Sequence, residues 1–171
     1  MSNPALWASV MIFASLHLSL LAQPLSKASV ADIEQQLAPN APNAPKTRSL
    51  NGTRNLVPEV RSIDLVIQFD LGSAKLQEDS KPLLDNLAQA MKGERLKEMK
   101  FKIEGHTDAK GSASFNDKLS LERAQTVVKF IHDKQITPER LVAEGKGFRE
   151  LLMPDKPQAM ENRRVRITTL P

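Results

Sequence analysis

The chain has 171 residues and 40% hydrophobic content, enough for one packed core with an appendage. Its net charge of +4 comes from 24 basic and 20 acidic residues that interleave rather than cluster, which argues against a nucleic-acid partner. There is no cysteine, which excludes disulfides, thiolate metal sites, a cysteine nucleophile and a lipid-modified cysteine.

The first element is an apolar stretch from Ala5 to Ala22 without Asp, Glu, Lys or Arg. It has the composition of a signal-peptide core, with Pro24 and small residues behind it. Ser26-Lys27-Ala28 offers a small-x-small pattern, so residues 1–28 are expected to be a signal peptide, and Ser29-Val30-Ala31 is a second cleavage candidate. The rival reading is a retained anchor, since about 18 apolar residues just span a bilayer. Either outcome takes the remainder out of the cytoplasm. Residues 29–60 are expected to form a Pro-rich, mostly disordered linker. It opens with a helix-compatible piece, "ASVADIEQQL". "APNAPNAP", Ala38 to Pro45, then sets proline at every third position, which blocks helix and sheet and favours an extended spacer between membrane side and folded part.

From Arg61 to Pro171 the pattern becomes a folded domain. "IDLVIQF" reads as a strand ending at Phe69-Asp70. A helix is predicted from near Ser80, with Leu84, Leu87, Ala88 and Met91 at helical spacing, Pro82 in its first turn and Gly93 at its end. "MKFKIEGHTD" alternates Met99, Phe101, Ile103 and Gly105 against Lys100, Lys102, Glu104 and His106, a half-buried strand. A longer helix is predicted over about Ser114 to Gln135, with Leu121, Ala124, Val127, Val128 and Ile131 as its apolar stripe. "RLVAEGKG" and "RRVRITTL" are the third and fourth strands, the latter with Arg164 and Arg166 on a solvated face. Strands alternating with helices predict a small two-layer α/β (α+β) unit with one four-stranded sheet.

Chemistry concentrates around the second strand's end. At about 100° per residue, Asn116 and Arg123 lie within roughly 20° of one another on a helix face bordering the apolar stripe. The connection from Asp108 through Gly111 to that helix is short, so a helix folded back on the sheet brings Arg123 near Asp108. A carboxylate and a guanidinium at one rim, with Thr107 and Asn116 beside them, can read a zwitterion: the carboxylate takes an ammonium and the arginine fork takes a carboxylate. The residues alone favour a structural Asp108–Arg123 salt bridge with no ligand, since ion pairs are mostly structural.

Two other constellations carry possible chemistry. Glu104, His106 and Asp108 alternate and could form an oxygen/nitrogen metal triad, but no second ligand cluster follows, and no metal is expected. Asp70 and Asp108 end two strands and could act as paired carboxylates of a glycan hydrolase. No Ser-His-Asp order and no glycine-rich phosphate loop is present.

Gly105-His106-Thr107-Asp108, Gly111, Asn116, Leu119-Ser120, Arg123-Ala124 and Asn162-Arg163-Arg164-Val165, with Phe69-Asp70 and Ser73-Ala74 ahead of them, resemble the signature of the OmpA-like domain family. This is the peptidoglycan-associating module shared by OmpA, Pal and MotB. The resemblance covers about residues 61 to 171. It implies a mixed sheet of order 1-4-2-3 with the last strand antiparallel and helices packed on it. It also implies non-covalent binding of the diaminopimelate of the peptidoglycan stem peptide. Asp108 would take the ligand's ammonium and Arg123 its carboxylate. Phe69, Asp70, Thr107, Asn116 and Leu119 would line the pocket, and Asn162 and Arg163 would support it. The expected protein is thus non-catalytic and exported to the periplasm or outer membrane. Its partners are peptidoglycan and membrane or envelope proteins, with no cofactor. Departures narrow the kind: no lipoprotein cysteine, too short an N-terminal region for a barrel, and no acidic residue in the apolar stretch for a proton channel.

Overall fold

The structure is a computed structural model, and it describes residues 24–39 and 60–170. In chain order the elements are α1 (Val30–Leu37), β1 (Ser62–Leu65), α2 (Lys81–Lys92), β2 (Lys100–His106), α3 (Ala113–Asp133), β3 (Leu141–Gly147) and β4 (Val165–Leu170). Short 3-10 turns occupy Glu78–Ser80, Pro138–Arg140 and Met160–Asn162. The sheet order is β1-β4-β2-β3; β4 runs antiparallel to β1 and β2, and β2 and β3 are parallel. This is the α+β arrangement expected.

Local chemistry sets the boundaries. Ser29 caps α1 in a reciprocal capping box with Asp32. Pro82 sits in the first turn of α2, and Gly93 ends it. Ser112 accepts a hydrogen bond from the Phe115 amide at the start of α3, and Gln135 closes the far end with a left-handed φ of 70°. The sheet packs its apolar face, including Ile63, Leu65, Phe101, Ile103, Val165 and Ile167, against all three helices.

The stripe of α3 differs from expectation. Ala124, Val127 and Ile131 are buried and Val128 is partly buried against the core, but Leu121 is exposed and Ser120 is fully buried. The reason is close approach of the helix to β2 and β3. A Cβ on Gly105 would collide with the Ser120 carbonyl, and one on Gly145 would lie 2.7 Å from the Leu121 amide. Where main chains meet so tightly there is room for serine and none for leucine.

The first strand is also shorter than expected, with regular pairing ending at Leu65. Beyond it, Val66 to Phe69 have no β4 residue to pair with, because β4 begins at Val165, opposite Leu65. Two further expectations are corrected. Arg164 and Arg166 do not form a solvated surface: Arg164 is 3% exposed, and both donate to Asp64 across the β1–β4 pair. They belong to an ion-paired layer on the sheet's second face, continued by Lys102, Glu104, Glu144 and Lys146. And α1 lies within the span read as linker, with Ile33 and Leu37 fully buried in the core. Leu25 bridges to β1, its amide donating to Asp64 and its carbonyl accepting from Val66, each at 2.8 Å. The prolines at 42 and 45 and the apolar stretch to Ala22 lie outside the described residues. Among the described residues no helix is long and apolar enough to cross a membrane.

Candidate functional site

The loops that follow β1 and β2, together with the first half of α3 and Arg163, enclose a pocket of about 440 Å³. Phe69, Asp70, Thr107, Asp108, Asn116, Leu119 and Arg123 all line it, as does Arg163. Every residue expected to contact a ligand is therefore brought together.

Asp108 sits two residues past β2 and is 7% exposed. One oxygen accepts from the Lys110 amide at 3.1 Å, a side-chain turn that folds the loop. The other accepts from Arg163 Nη1 at 2.9 Å. Asp108 is thus salt-bridged to Arg163, where sequence reasoning offered Arg123 as its partner. Asn116 is buried and donates to the Lys110 and Ser112 carbonyls at 2.7 and 3.1 Å, clamping the loop through Gly111, whose φ is +87°. Leu119 closes the pocket from α3, and the Thr107 hydroxyl is buried beneath it with no hydrogen-bond partner.

Arg123 is held differently. Its Nε donates to the Ser73 carbonyl at 3.0 Å, and its guanidinium lies 5.0 Å over the centre of the Phe69 ring. No carboxylate among the described residues lies within salt-bridge distance of it. Burial pushes its pKa below the usual arginine value, the Arg163 charge adds to that, and Asp108 opposes it. A guanidinium this basic stays charged, so the pocket holds a desolvated cation short of an anion. Asp70, at the rim, pairs with Lys75 at 3.3 Å and receives Gln77 Nε2 at 3.4 Å.

Asn162 does not reach the pocket. It is fully buried and ties down the segment before β4, accepting from the Met153 amide and donating to the Lys156 and Pro157 carbonyls. Pro157 also receives the Ala109 amide, so Asn162 positions the loop that carries Asp108. Sequence reasoning missed Gln77, Lys110 and Phe115 in the pocket wall and the Ser73 carbonyl that orients Arg123. No spacing rule points to a carbonyl, although Ser73 lies in the motif quoted above.

Glu104, His106 and Asp108, whose alternation could have formed a metal triad, are dispersed. Glu104 takes Lys102, Lys146 and the Thr168 hydroxyl on the charged sheet face, whereas Asp108 turns to Arg163. His106 is buried with neither ring nitrogen hydrogen-bonded, and burial together with the Arg164 and Arg166 charges lowers its pKa to about 4. Among the described residues no cluster of His, Asp and Glu is arranged to hold a metal.

A family model described as the OmpA family matches residues 68–166. Among curated relatives, outer membrane protein A of Bordetella avium is 34% identical over 101 residues, covering 58% of this chain and 51% of that protein. Photosystem I P700 chlorophyll a apoprotein A2 of Gloeobacter violaceus is 36% identical over 112 residues, covering 65% of this chain and 12% of that protein. The matched stretch is thus a module within longer relatives. Among solved structures, a MotB-like protein from Desulfovibrio vulgaris superposes with a TM-score of 0.56 at 26% identity, over 64% of this chain and 72% of that one. The peptidoglycan-associated lipoprotein of Burkholderia pseudomallei shares the fold, with a TM-score of 0.52 at 24% identity over 63% and 89% of the two chains.

Proposed function

The chain belongs to the OmpA family, matched over residues 68–166, and on that premise we propose that it binds peptidoglycan non-covalently through the diaminopimelate of the stem peptide. The observation that carries this reading is the unneutralised Arg123 fork in the same pocket as Asp108. A free amino-acid end brings the missing carboxylate to Arg123 and an ammonium to Asp108, which then shares its charge between that group and Arg163. The aromatic ring of Phe69 keeps the guanidinium in one orientation, so little side-chain entropy is lost on binding. A few charge-assisted hydrogen bonds of about 1.5–3 kcal/mol each support micromolar-to-millimolar affinity, sufficient for a repeating polymer met at high effective concentration.

The site suits binding rather than hydrolysis. Asp108 is committed to Arg163 and Asp70 to Lys75, so neither carboxylate is aimed as a proton donor across a scissile bond. The relatives named as outer membrane proteins support a cell-envelope location for this chain, with peptidoglycan and neighbouring envelope proteins as its partners.

The test is co-sedimentation of the purified protein with insoluble peptidoglycan. Arg123→Ala and Asp108→Ala should each remove the protein from the pellet, and Arg123→Lys should weaken retention because the two-pronged contact is lost. Undiminished pelleting of both alanine variants refutes the site. Release of soluble sugars or peptides by the unaltered protein would instead establish a hydrolase.

A further inference from the structure

Beside the pocket, and sharing Phe69, Gln77, Arg123 and Arg163 with it, lies a second cleft of about 270 Å³. One wall is the segment Val66 to Phe69; the other is Met160 and Arg163. Its origin is topological. β1 and β4 pair only from Ser62–Thr168 to Leu65–Val165, and the chain before β4 turns off into the 3-10 turn Met160–Asn162. The continuation of β1 is therefore left without a neighbour on that side.

Main-chain groups alternate between the two edges of an extended segment. Asp64, Val66 and Gln68 use the outer edge: Asp64 and Val66 bond Leu25, the Gln68 amide donates to Ser80 Oγ, and its carbonyl accepts from the Gln77 amide. Alternation turns Ile67 and Phe69 toward the β4 side. Neither amide donates to any described residue, and the Ile67 carbonyl accepts from none, although Ile67 is only 5% exposed. Unpaired main chain along a cleft is the template for adding an extended peptide.

We propose that this cleft receives the peptide main chain leading away from the amino acid seated at Asp108 and Arg123, pairing with Ile67 and Phe69 as a short added strand. This rests on the reading of the pocket given above. Continuity of the two spaces through Arg123 sets the occupant: a chain linked to the seated residue passes Arg123 before it reaches Ile67. Charge agrees, because Arg163 lines both spaces and suits the further carboxylate that an acidic stem peptide carries. The protein would accordingly discriminate peptide-linked diaminopimelate from the free amino acid.

Calorimetry with two ligands tests it: free diaminopimelate, and a synthetic stem peptide holding the same residue in amide linkage. Two or so added main-chain hydrogen bonds predict about tenfold tighter binding of the peptide. Met160 is 65% exposed and lines only the cleft, so Met160→Trp should fill it without touching the fold. That variant is expected to erase the tenfold gain and keep the affinity for the free amino acid. In amide hydrogen exchange, Ile67 and Phe69 should gain protection with the peptide and not with the amino acid. Equal affinity for both ligands, or a gain that survives Met160→Trp, overturns the proposal while leaving the pocket intact. No binding of either ligand overturns the pocket and this extension together.

Discussion

His106 separates what residue type announces from what position decides. A polar ring at a strand's end reads as a hydrogen-bonding group, yet His106 lies on the charged sheet face, 2% exposed, with neither ring nitrogen paired. Burial above all, with the Arg164 and Arg166 charges, keeps it neutral there, and Asp64 and Glu104 oppose them without prevailing. The folded protein takes up this proton only near pH 4, whereas an unfolded histidine does so near 6.5. Between those values the unfolded chain binds more protons, so stability falls as pH drops through the window, by about 3 kcal/mol from this group. Asp64 and Glu104, whose pKa values are lowered in the fold, add further loss under more acid conditions. Urea titrations at pH 7, 5.5 and 4 should show the decline, and His106→Asn should flatten it between pH 6.5 and 4. An unchanged slope in the variant would remove His106 from the explanation. Asp108 and Arg123 were legible in the sequence as a pair for one pocket. Their separate attachments, to Arg163 and to the Ser73 carbonyl, were not, because both depend on contacts made across long stretches of chain.

Among elements, α2, α3 and β2 to β4 follow the sequence pattern closely, since each carries a strong apolar period and a recognisable cap or stop. One failure comes from burial by charged partners, which leaves no apolar signature. Arg164 and Arg166 look solvent-facing by alternation, and only the register that sets Asp64 opposite Arg166 reveals their partner. Asp64 Oδ1 accepts from both guanidinium Nε atoms, at 3.0 and 2.9 Å, and Oδ2 accepts from Arg166 Nη2 at 2.8 Å. Truncating Asp64 strands the buried Arg164 charge, so Asp64→Ala is expected to cost about 3–5 kcal/mol. A denaturant midpoint within error of the unaltered protein would show that the trio does not hold β1 to β4. The exposed Leu121 is the other lesson. A leucine at helical spacing reads as core until the glycines beneath it bring the main chains too close.

At the scale of the molecule, the folded unit begins earlier than composition suggests. Eight residues of α1 gave too short a pattern to outweigh the prolines after it, yet Ile33 and Leu37 are both fully buried. Ile33→Ala should therefore lower stability by about 2–5 kcal/mol, read from the thermal midpoint; an unaffected midpoint would mean α1 is dispensable. The same packing bears on processing. A cut after Ala28 would discard Leu25, which bonds β1, and the Ala28 carbonyl that accepts from Asn86 Nδ2. If a leader is removed, the mass of the mature protein should correspond to a start at or before Leu25, and a start at Ser29 would contradict this. Ala38 and Arg61 both belong to the domain, so the chain between them joins two parts of one folded body. Were the apolar stretch ending at Ala22 held in a membrane, the three residue steps from it to Leu25 would give about 10 Å of slack at full extension. An uncleaved apolar segment would press the domain against its membrane, so reaching a distant wall polymer would require cutting that segment away.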